Sequence, residues 1–502
     1  MTMRTRRQTL GALCLATYML LLDVTIVQVA LPAMQRRLGG DLSGLQWTVD
    51  AYALPLSALV ITFGTAADRW GRRRVFLAGV AVFSAASLAC GLAPGLIALY
   101  AARAVQGVAG AAMFATTLAL VAQEFTGSER LRAMAAWGSA VGLGVASGPL
   151  AGGFLTQALG WRAIFLVNVP IGAVVLLMTL RTVSEGRDPA GRRLDFPGLV
   201  ALTAGLLLLT AGLLRGSAMN WQGAFGPATV AAGVVLLVGF CALQVRGSRM
   251  LDAGLFRTPA FTAVSATTLA LGAGMFAVML FITVYLQNVL GYSPLQGGLR
   301  VLPITAPVFL VPLALRRLGV PLVSGKVIAA GCGLAAAGLL AMTAAGAATS
   351  WTAMVPGMVI AGTGVGMANP AIAATALAVV SPLRSGLAAG VSNTCRLSGL
   401  AVGIALLGAL FRGAISATLG PADHSGQAAA LTGTGQIGRA AALIGSRGGR
   451  ALAGEAFTSG LHLIMITGAA ITLAGALIAL AFIRTTDRAA QPAPAKAAAL
   501  AR

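Results

Sequence analysis

Four charged residues stand inside apolar segments: Asp23 in "MLLLDVTIVQVALP", Asp50 in "WTVDAY", Arg103 in "YAARAVQGVAGA" and Arg396 in "VSNTCRLSGLAVG". A charge at the centre of a bilayer costs about 2.5–3.5 kcal/mol on insertion scales, so each must face protein or water. Counting about 1.5 Å of helical rise per residue from Arg7 puts Asp23 roughly two-thirds of the way across. Arg103 lies within about two turns of the start of a segment entered from the opposite side, so the two charges can meet. Burial and a nearby guanidinium act in opposite directions on a carboxyl's affinity for a proton. A group so balanced can load and release a proton, or exchange it for a cationic substrate. The alternative is a static ion pair that only fixes helix packing, and residue types leave both open.

The other two charges are each ambiguous. Asp50 is either a second acidic group near the outer mouth or a helix-start carboxylate satisfied by backbone NH groups. Arg396 has no acidic partner in the second-half segments; it either meets an anionic substrate or fixes Asn393 and neighbouring carbonyls. Gln28, Trp47, Tyr52, Gln106, Phe276, Tyr285, Gln287 and Asn393 are candidate pocket lining. Aromatic residues near span ends also serve as interface anchors.

These residues must be positioned by membrane-spanning helices. The chain has 502 residues, 58% hydrophobic and 10% charged, with mean hydropathy +0.87, against roughly 25% charged in soluble domains. The formal charge of +22 would suggest nucleic acid in a soluble chain. Here it is spread over many short loops instead of gathered on one domain, which excludes that partner. The five cysteines have neither CxxC nor Cys/His spacing, so neither a disulfide framework nor a metal site is indicated. His424 and His462 lie far apart and no carboxylate cluster accompanies them, which argues against an enzyme. The basic start followed by an apolar stretch resembles a signal peptide, but the apolar run continues to Pro32 without a small-residue cleavage site, so an uncleaved first span is expected.

At about 20 apolar residues per crossing the pattern gives about fourteen helices, the first near 10 to 32, the second near 46 to 66 and the last near 459 to 483. With the N-terminus inside, roughly two dozen of the 35 basic residues fall on inner loops and about nine outside. Both termini are therefore expected in the cytoplasm. The expected organisation is a six-helix bundle over 1–190, two inserted helices over 191–258, a second six-helix bundle over 259–485 and a cytoplasmic tail over 486–502. A Gly- and Ala-rich stretch at about 412–458 is expected as an outer loop, either a connector or a substrate lid. In "SAVGLGVASGPLAGGF", Gly144, Gly148 and Gly152 recur every four residues, which lets another backbone come close. Gly153 follows, and Pro149 frees a carbonyl and bends the helix.

The loop between the second and third spans reads "GTAADRWGRRRVF". It resembles the G-x-L-a-D-R-x-G-R-[RK] signature of the major facilitator superfamily through Gly64, Asp68, Arg69, Gly71, Arg72 and Arg73, with Ala66 in place of the usual leucine. "LDVTIVQVALP" resembles the first-helix motif of the fourteen-span drug:proton antiporter branch, with Gln28 where asparagine is usual. "RAVQGVAGA" is similar to its fourth-helix motif and "GVASGPLAGG" to its antiporter motif. "WTVDAY", "GWRAIFLVNVPIG", "LDFPG", "YLQNVLGYSPLQGGLRVLP" and "RSGLAAGVSNTCRLSG" follow in order.

The resemblance implies an all-α major facilitator fold, two six-helix bundles plus two inserted helices, with substrate bound between the bundles. It implies proton coupling at Asp23 and Arg103, and an inner-side latch at Asp68 held by the surrounding arginines. The expected function is export of amphipathic organic compounds across a bacterial inner membrane. The proton gradient is the expected energy source, with no cofactor and no metal. Expected partners are the small-molecule substrate, protons and the lipid bilayer, with no nucleic acid; an accessory periplasmic adaptor is not indicated by the sequence. The alternatives are a dedicated exporter of one self-made metabolite and a transport-inactive membrane sensor.

Overall fold

In lipid every backbone NH and C=O must be satisfied within the protein, so apolar segments of this length fold as helices. The computed structural model describes residues 3–39, 42–125, 127–186, 196–218, 223–245, 258–344, 351–380, 385–420, 425–445 and 448–483. All regular structure among them is helical. The first half holds α1 (Met3–Leu38), α2 (Leu42–Trp70), α3 (Arg72–Gly91), α4 (Leu96–Glu124), α5 (Gly127–Leu159), the single turn α6 (Ala163–Leu166) and α7 (Asn168–Thr182). A hairpin of α8 (Phe196–Ala218) and α9 (Phe225–Val245) follows. The second half comprises α10 (Pro259–Leu271), α11 (Ala277–Val284), α12 (Pro294–Arg317), α13 (Gly325–Met342), α14 (Val355–Ala378), α15 (Ser385–Leu419), α16 (Ser425–Gly433), α17 (Ile437–Ile444) and α18 (Gly449–Phe482).

Helices α1 to α7 pack on one another, with α1 against α5 and α7, and α4 against α2 and α3. The second half packs around α13, α14, α15 and α18. The hairpin's α8 lies against α2 and α15, while α9 touches mainly α8. Gly205, Gly212 and Gly233 let α8 and α9 approach backbone to side chain, since a Cβ at any of them would meet a partner atom within 3 Å.

Among the described residues, twelve helices are long and apolar enough to cross a membrane, or thirteen if the two arms of α5, bent by 46°, count as one. The second of the fourteen expected spans corresponds to α2, where several side chains, those at 61, 65 and 68 among them, lie outside the described set. The bend in α5 has a local cause: Pro149 has no NH for the Val145 carbonyl one turn back, and its ring crowds that carbonyl.

The stretch expected as an outer loop at 412–458 is mostly helix. α15 runs on to Leu419, α16 and α17 occupy its middle, and α18 begins at Gly449. Ala428, Ile437 and Ala440 are buried there, so enough apolar surface leaves water to hold two short helices on the bundle. The connector at 187–195, the segment at 246–257 and the tail at 486–502 lie outside the described residues.

Candidate functional site

Five helices converge on Asp23. Arg103 and Gln106, one turn apart on the same face of α4, reach it together. Arg103 Nη1 donates to Asp23 Oδ2 at 2.5 Å, and Gln106 Nε2 donates to Oδ1 at 3.1 Å. Asn168, the first residue of α7, donates through Nδ2 to the same Oδ1 at 3.0 Å. Ser87 of α3 accepts from both amides, at 3.1 and 3.0 Å, and its hydroxyl donates to the Phe165 carbonyl at 2.9 Å.

Arg103 also donates from Nε to the Thr48 carbonyl of α2 at 3.3 Å and from Nη1 to Gln106 Oε1 at 2.9 Å. Its guanidinium carbon sits 4.2 Å from the centre of the Tyr52 ring, close enough for a cation–π attraction. Gly107 makes this possible, because a Cβ there would collide with the Tyr52 carbonyl. Asp23 and Gln106 are 0% exposed and Arg103 1%. A proton placed on Oδ2 would therefore replace a fully buried ion pair with a hydrogen-bonded neutral group beside an uncompensated guanidinium. Such a change is felt by every helix anchored there.

On the other side of α1 lies a cavity between the two halves, with a volume of about 90 Å3. Thr25 and Gln28 of α1, Val145 and Pro149 of α5, Phe276 and Arg396 are among its lining. Arg396 is held by its neighbour one turn back, donating from Nη2 to Asn393 Oδ1 at 2.7 Å. Asp23 does not line the cavity. α1 thus carries the ion pair on one face and cavity lining on another. The cavity-lining Met275 and Phe276 fall in a π-helical stretch, Gly272–Phe276, a distortion often found at functional sites.

Of the residues expected to line a pocket, the structure brings Gln28, Phe276 and Arg396 together around the cavity. The others lie elsewhere. Trp47 packs with Leu213 and Ala405 against α8 and α15. Tyr52 covers Arg103, and Gln106 serves Asp23. Tyr285 stacks on Phe457 with centroids 6.0 Å apart. Gln287 donates to the Val29 carbonyl at 2.7 Å, joining the two halves. Asn393 is the support of Arg396. The physical reason is common to all six: a large amphipathic side chain satisfies a bundle interior as well as a binding site.

Asp50 lies two turns inside α2, past the free NH groups of the helix start, and neither carboxyl oxygen has a hydrogen-bond partner among the described residues although the residue is 0% exposed. The helix-start reading is therefore corrected. Its neighbours one turn away, Trp47 and Leu54, pack in clusters with Leu206, Leu213 and Ala401, which places Asp50 on the α2 face toward α8 and α15.

The glycines of α5 divide their work. A Cβ at Gly144 would come within 2.9 Å of the Tyr18 carbonyl, one at Gly148 would overlap Thr25 Oγ1, and one at Gly152 would come within 2.8 Å of the Ile26 carbonyl. These three face α1 on either side of Asp23. Gly153 faces the other half, with a Cβ falling 2.6 Å from the Pro294 carbonyl, and a Cβ at Gly298 of α12 would overlap the Pro149 carbonyl. Gln157 Oε1 accepts from Ser293 Oγ at 2.8 Å close by. Asn288 donates to Gln35 Oε1 at 3.3 Å and to the Thr434 carbonyl at 2.7 Å. Gln46 Nε2 donates to the Ile404 carbonyl at 2.9 Å. The contacts of Gly153, Gly298, Gln157, Gln35 and Gln46 join the two halves at the end away from Met3 and Ile483.

At the end that holds Met3 and Ile483, Gly71 takes φ 109° between α2 and α3, a conformation other residues resist. A Cβ there would lie 2.6 Å from Glu185 Oε1. Glu185 accepts from the Arg73 backbone NH at 3.1 Å, pairs with Arg74 Nε at 3.6 Å, and so sits at the positive N-terminus of α3. Arg73 Nη2 donates to the Leu180 carbonyl at 2.7 Å and the Arg72 NH to the Gly186 carbonyl at 3.0 Å. The described contacts of Arg72 to Arg74 thus bind the turn to the end of α7 and the segment after it, within the first half. Arg69 is exposed and Gly64 half-buried, and the Asp68 side chain lies outside the described residues.

Two members of the Asp23 shell were not expected as site residues, Ser87 and Asn168. Asn168 carried a usable signal, an amide alone in the apolar run "IFLVNVPIG". Ser87 carried none, since small hydroxyls are common in membrane helices and bond their own backbone.

A multi-helix membrane protein in two halves, with a buried ion pair beside a central cavity, is the architecture of a secondary transporter. Residues 13–404 match the Major Facilitator Superfamily, and the chain belongs to that family. It is 36% identical over 423 residues to the multidrug resistance protein Stp of Mycobacterium tuberculosis, covering 83% of this chain and 78% of that one. It is 34% identical over 439 residues to a probable actinorhodin transporter of Streptomyces coelicolor, covering 84% and 75%. With the tetracenomycin C resistance and export protein of Streptomyces glaucescens the identity is 30% over 497 residues, covering 94% and 90%. The fold is similar to a bacterial homologue of the lysosomal transporter Spinster in its inward-facing, unoccupied conformation. That likeness has a TM-score of 0.65 and 19% identity over 98% of this chain and all of the other.

Proposed function

We propose that the protein is a proton-coupled antiporter that exports amphipathic organic compounds across the bacterial inner membrane, with both termini in the cytoplasm. The observation that carries the reading is Asp23, buried against Arg103 on one face of α1 while another face of the same helix lines the cavity. With this orientation the contacts of Gln157, Asn288 and Gln287 are a closed outer gate. Asp23 lies outside the cavity lining, so a substrate does not displace its proton directly. Coupling instead runs through α1: a proton arriving from outside neutralises Asp23 and frees α1 from α4 and α7. The helix then shifts along the glycine face of α5, reshaping the cavity at Thr25 and Gln28. Asp68 acts in the inner latch, and Asp50, a buried carboxyl whose oxygens have no hydrogen-bond partner among the described residues, is a second proton site.

The proton gradient is the energy source, and neither a cofactor nor an enzymatic step is involved. The likeness to a probable actinorhodin transporter and to a tetracenomycin C resistance and export protein supports a second reading of the same machinery, export of one self-made metabolite. Proteoliposomes carrying the full chain, loaded with a panel of dyes and antibiotics and given an imposed pH gradient, test the proposal. Gradient-driven movement of several unrelated compounds supports a multidrug exporter, and movement of one supports the dedicated one. Movement of none, with the gradient intact, overturns proton-coupled export.

A further inference from the structure

The cavity has a one-sided charge. Its lining is almost wholly apolar, with Thr25, Gln28, Thr283 and Thr305 as its uncharged polar groups. Arg396 is its cation, and among the described residues no aspartate, glutamate, lysine or histidine lines it. The carboxylate nearest in sequence to the α1 lining, Asp23, is occupied by Arg103 and turned away. Arg396 forms no ion pair among the described residues; its described side-chain bond is the one to Asn393 Oδ1, made through Nη2. A guanidinium has five N–H donors, so most remain for another acceptor. Asn393 points the fork without neutralising it, and the Arg396 carbonyl is itself fixed, because Gly272 packs so closely that a Cβ would collide with it.

We infer that the cavity selects organic anions: compounds with an apolar, aromatic-sized body and a carboxylate, sulfonate or ionised phenol that Arg396 receives in a bidentate fashion. A lipophilic cation would meet a like charge in an apolar chamber with no carboxylate to offset it, which opposes binding. An anion meets a preoriented donor fork in a region where charge-assisted hydrogen bonds are strong. This inference rests on the export reading for its direction of transport but not for its binding step, so the two can fail separately.

The test uses detergent-purified full-length protein and three tritiated probes sharing one body: 1-pyrenebutyrate, its neutral amide, and the corresponding trimethylammonium cation. The expected order of affinity is anion, then amide, then cation. Arg396→Gln should weaken binding of the anion by about tenfold or more, the loss expected for a charge-assisted bond, and leave the amide within about twofold. Arg396→Lys should retain part of the anion preference, since it keeps the charge without the fork. The neutral amide reports whether each variant keeps a folded cavity. Equal binding of anion and cation by the wild type would overturn the inference. So would anion binding unchanged in Arg396→Gln. Binding in the expected order without gradient-driven transport would uphold the anion site and overturn the export reading instead.

Discussion

Asp23 on α1 and Arg103 on α4 form an ion pair at 2.5 Å that is sealed from solvent, and Gln106 and Asn168 fill the other carboxylate oxygen. Two charges in this setting are held more by each other than by any other group. Breaking such a pair by removing one partner typically costs about 3–5 kcal/mol, whereas replacing both together often costs little. Arg103→Gln should therefore lower the thermal midpoint of the purified protein sharply. The double variant Asp23→Asn, Arg103→Gln should recover most of that loss while remaining unable to couple transport to a gradient. A double variant as unstable as Arg103→Gln alone would show that the pair is not what Arg103 satisfies.

The glycine face of α5 predicts a graded series. Gly148→Leu drives a side chain into Thr25 and the α1 backbone, and should abolish transport or lower the amount of folded protein. Gly138→Ala on the same helix meets nothing within 4 Å and should be neutral, or slightly stabilising by helix propensity. Equal efflux from both variants, measured per molecule in proteoliposomes, would contradict a close α1–α5 contact.

Asp50 offers a separate reading of proton number. Asp50→Asn removes the ionisable group but keeps the shape, and since the native oxygens accept no hydrogen bond among the described residues the folded state should lose little. If Asp50 carries a proton in each cycle, the proton-to-substrate ratio, obtained from simultaneous pH-dye and substrate fluxes, should fall by about one. An unchanged ratio would reduce Asp50 to a buried packing residue.

Charge balance supplies a prediction about the membrane potential. One proton entering while one monoanion leaves carries two positive charges inward, whereas one-for-one exchange with a monovalent cation carries none. Each charge is worth about 2.3 kcal/mol per 100 mV. Anion export should therefore accelerate when a potassium diffusion potential makes the donor side negative, even with no pH gradient. Export indifferent to potential would contradict an anionic substrate at this stoichiometry.

Much of this architecture was legible because lipid makes charge expensive. Asp23 and Arg103 stand out in their apolar segments, and counting helical rise was enough to bring them to one depth. The three glycines at four-residue spacing likewise announced a close helix contact, though not that the partner is α1. What could not be read was the direction of a side chain around its helix. Tyr52 and Gln106 have the composition of pocket lining, yet their azimuth puts them beside the ion pair. Asp50 could be taken for a helix-start residue because the sequence does not show that α2 begins at Leu42. The helices α16 and α17 hid in a stretch where glycines cut good helix formers into runs too short to stand alone, and they form because Ile437 and its neighbours find the bundle.

The central claim is that protonation of Asp23 drives export without Asp23 touching the substrate. The most direct measurement compares two modes in proteoliposomes carrying Asp23→Asn: uphill efflux driven by a pH gradient, and exchange of labelled for unlabelled substrate at equal pH. The account predicts loss of the first with retention of the second, since the cavity lining is intact. Uphill efflux at the wild-type rate in Asp23→Asn would contradict it.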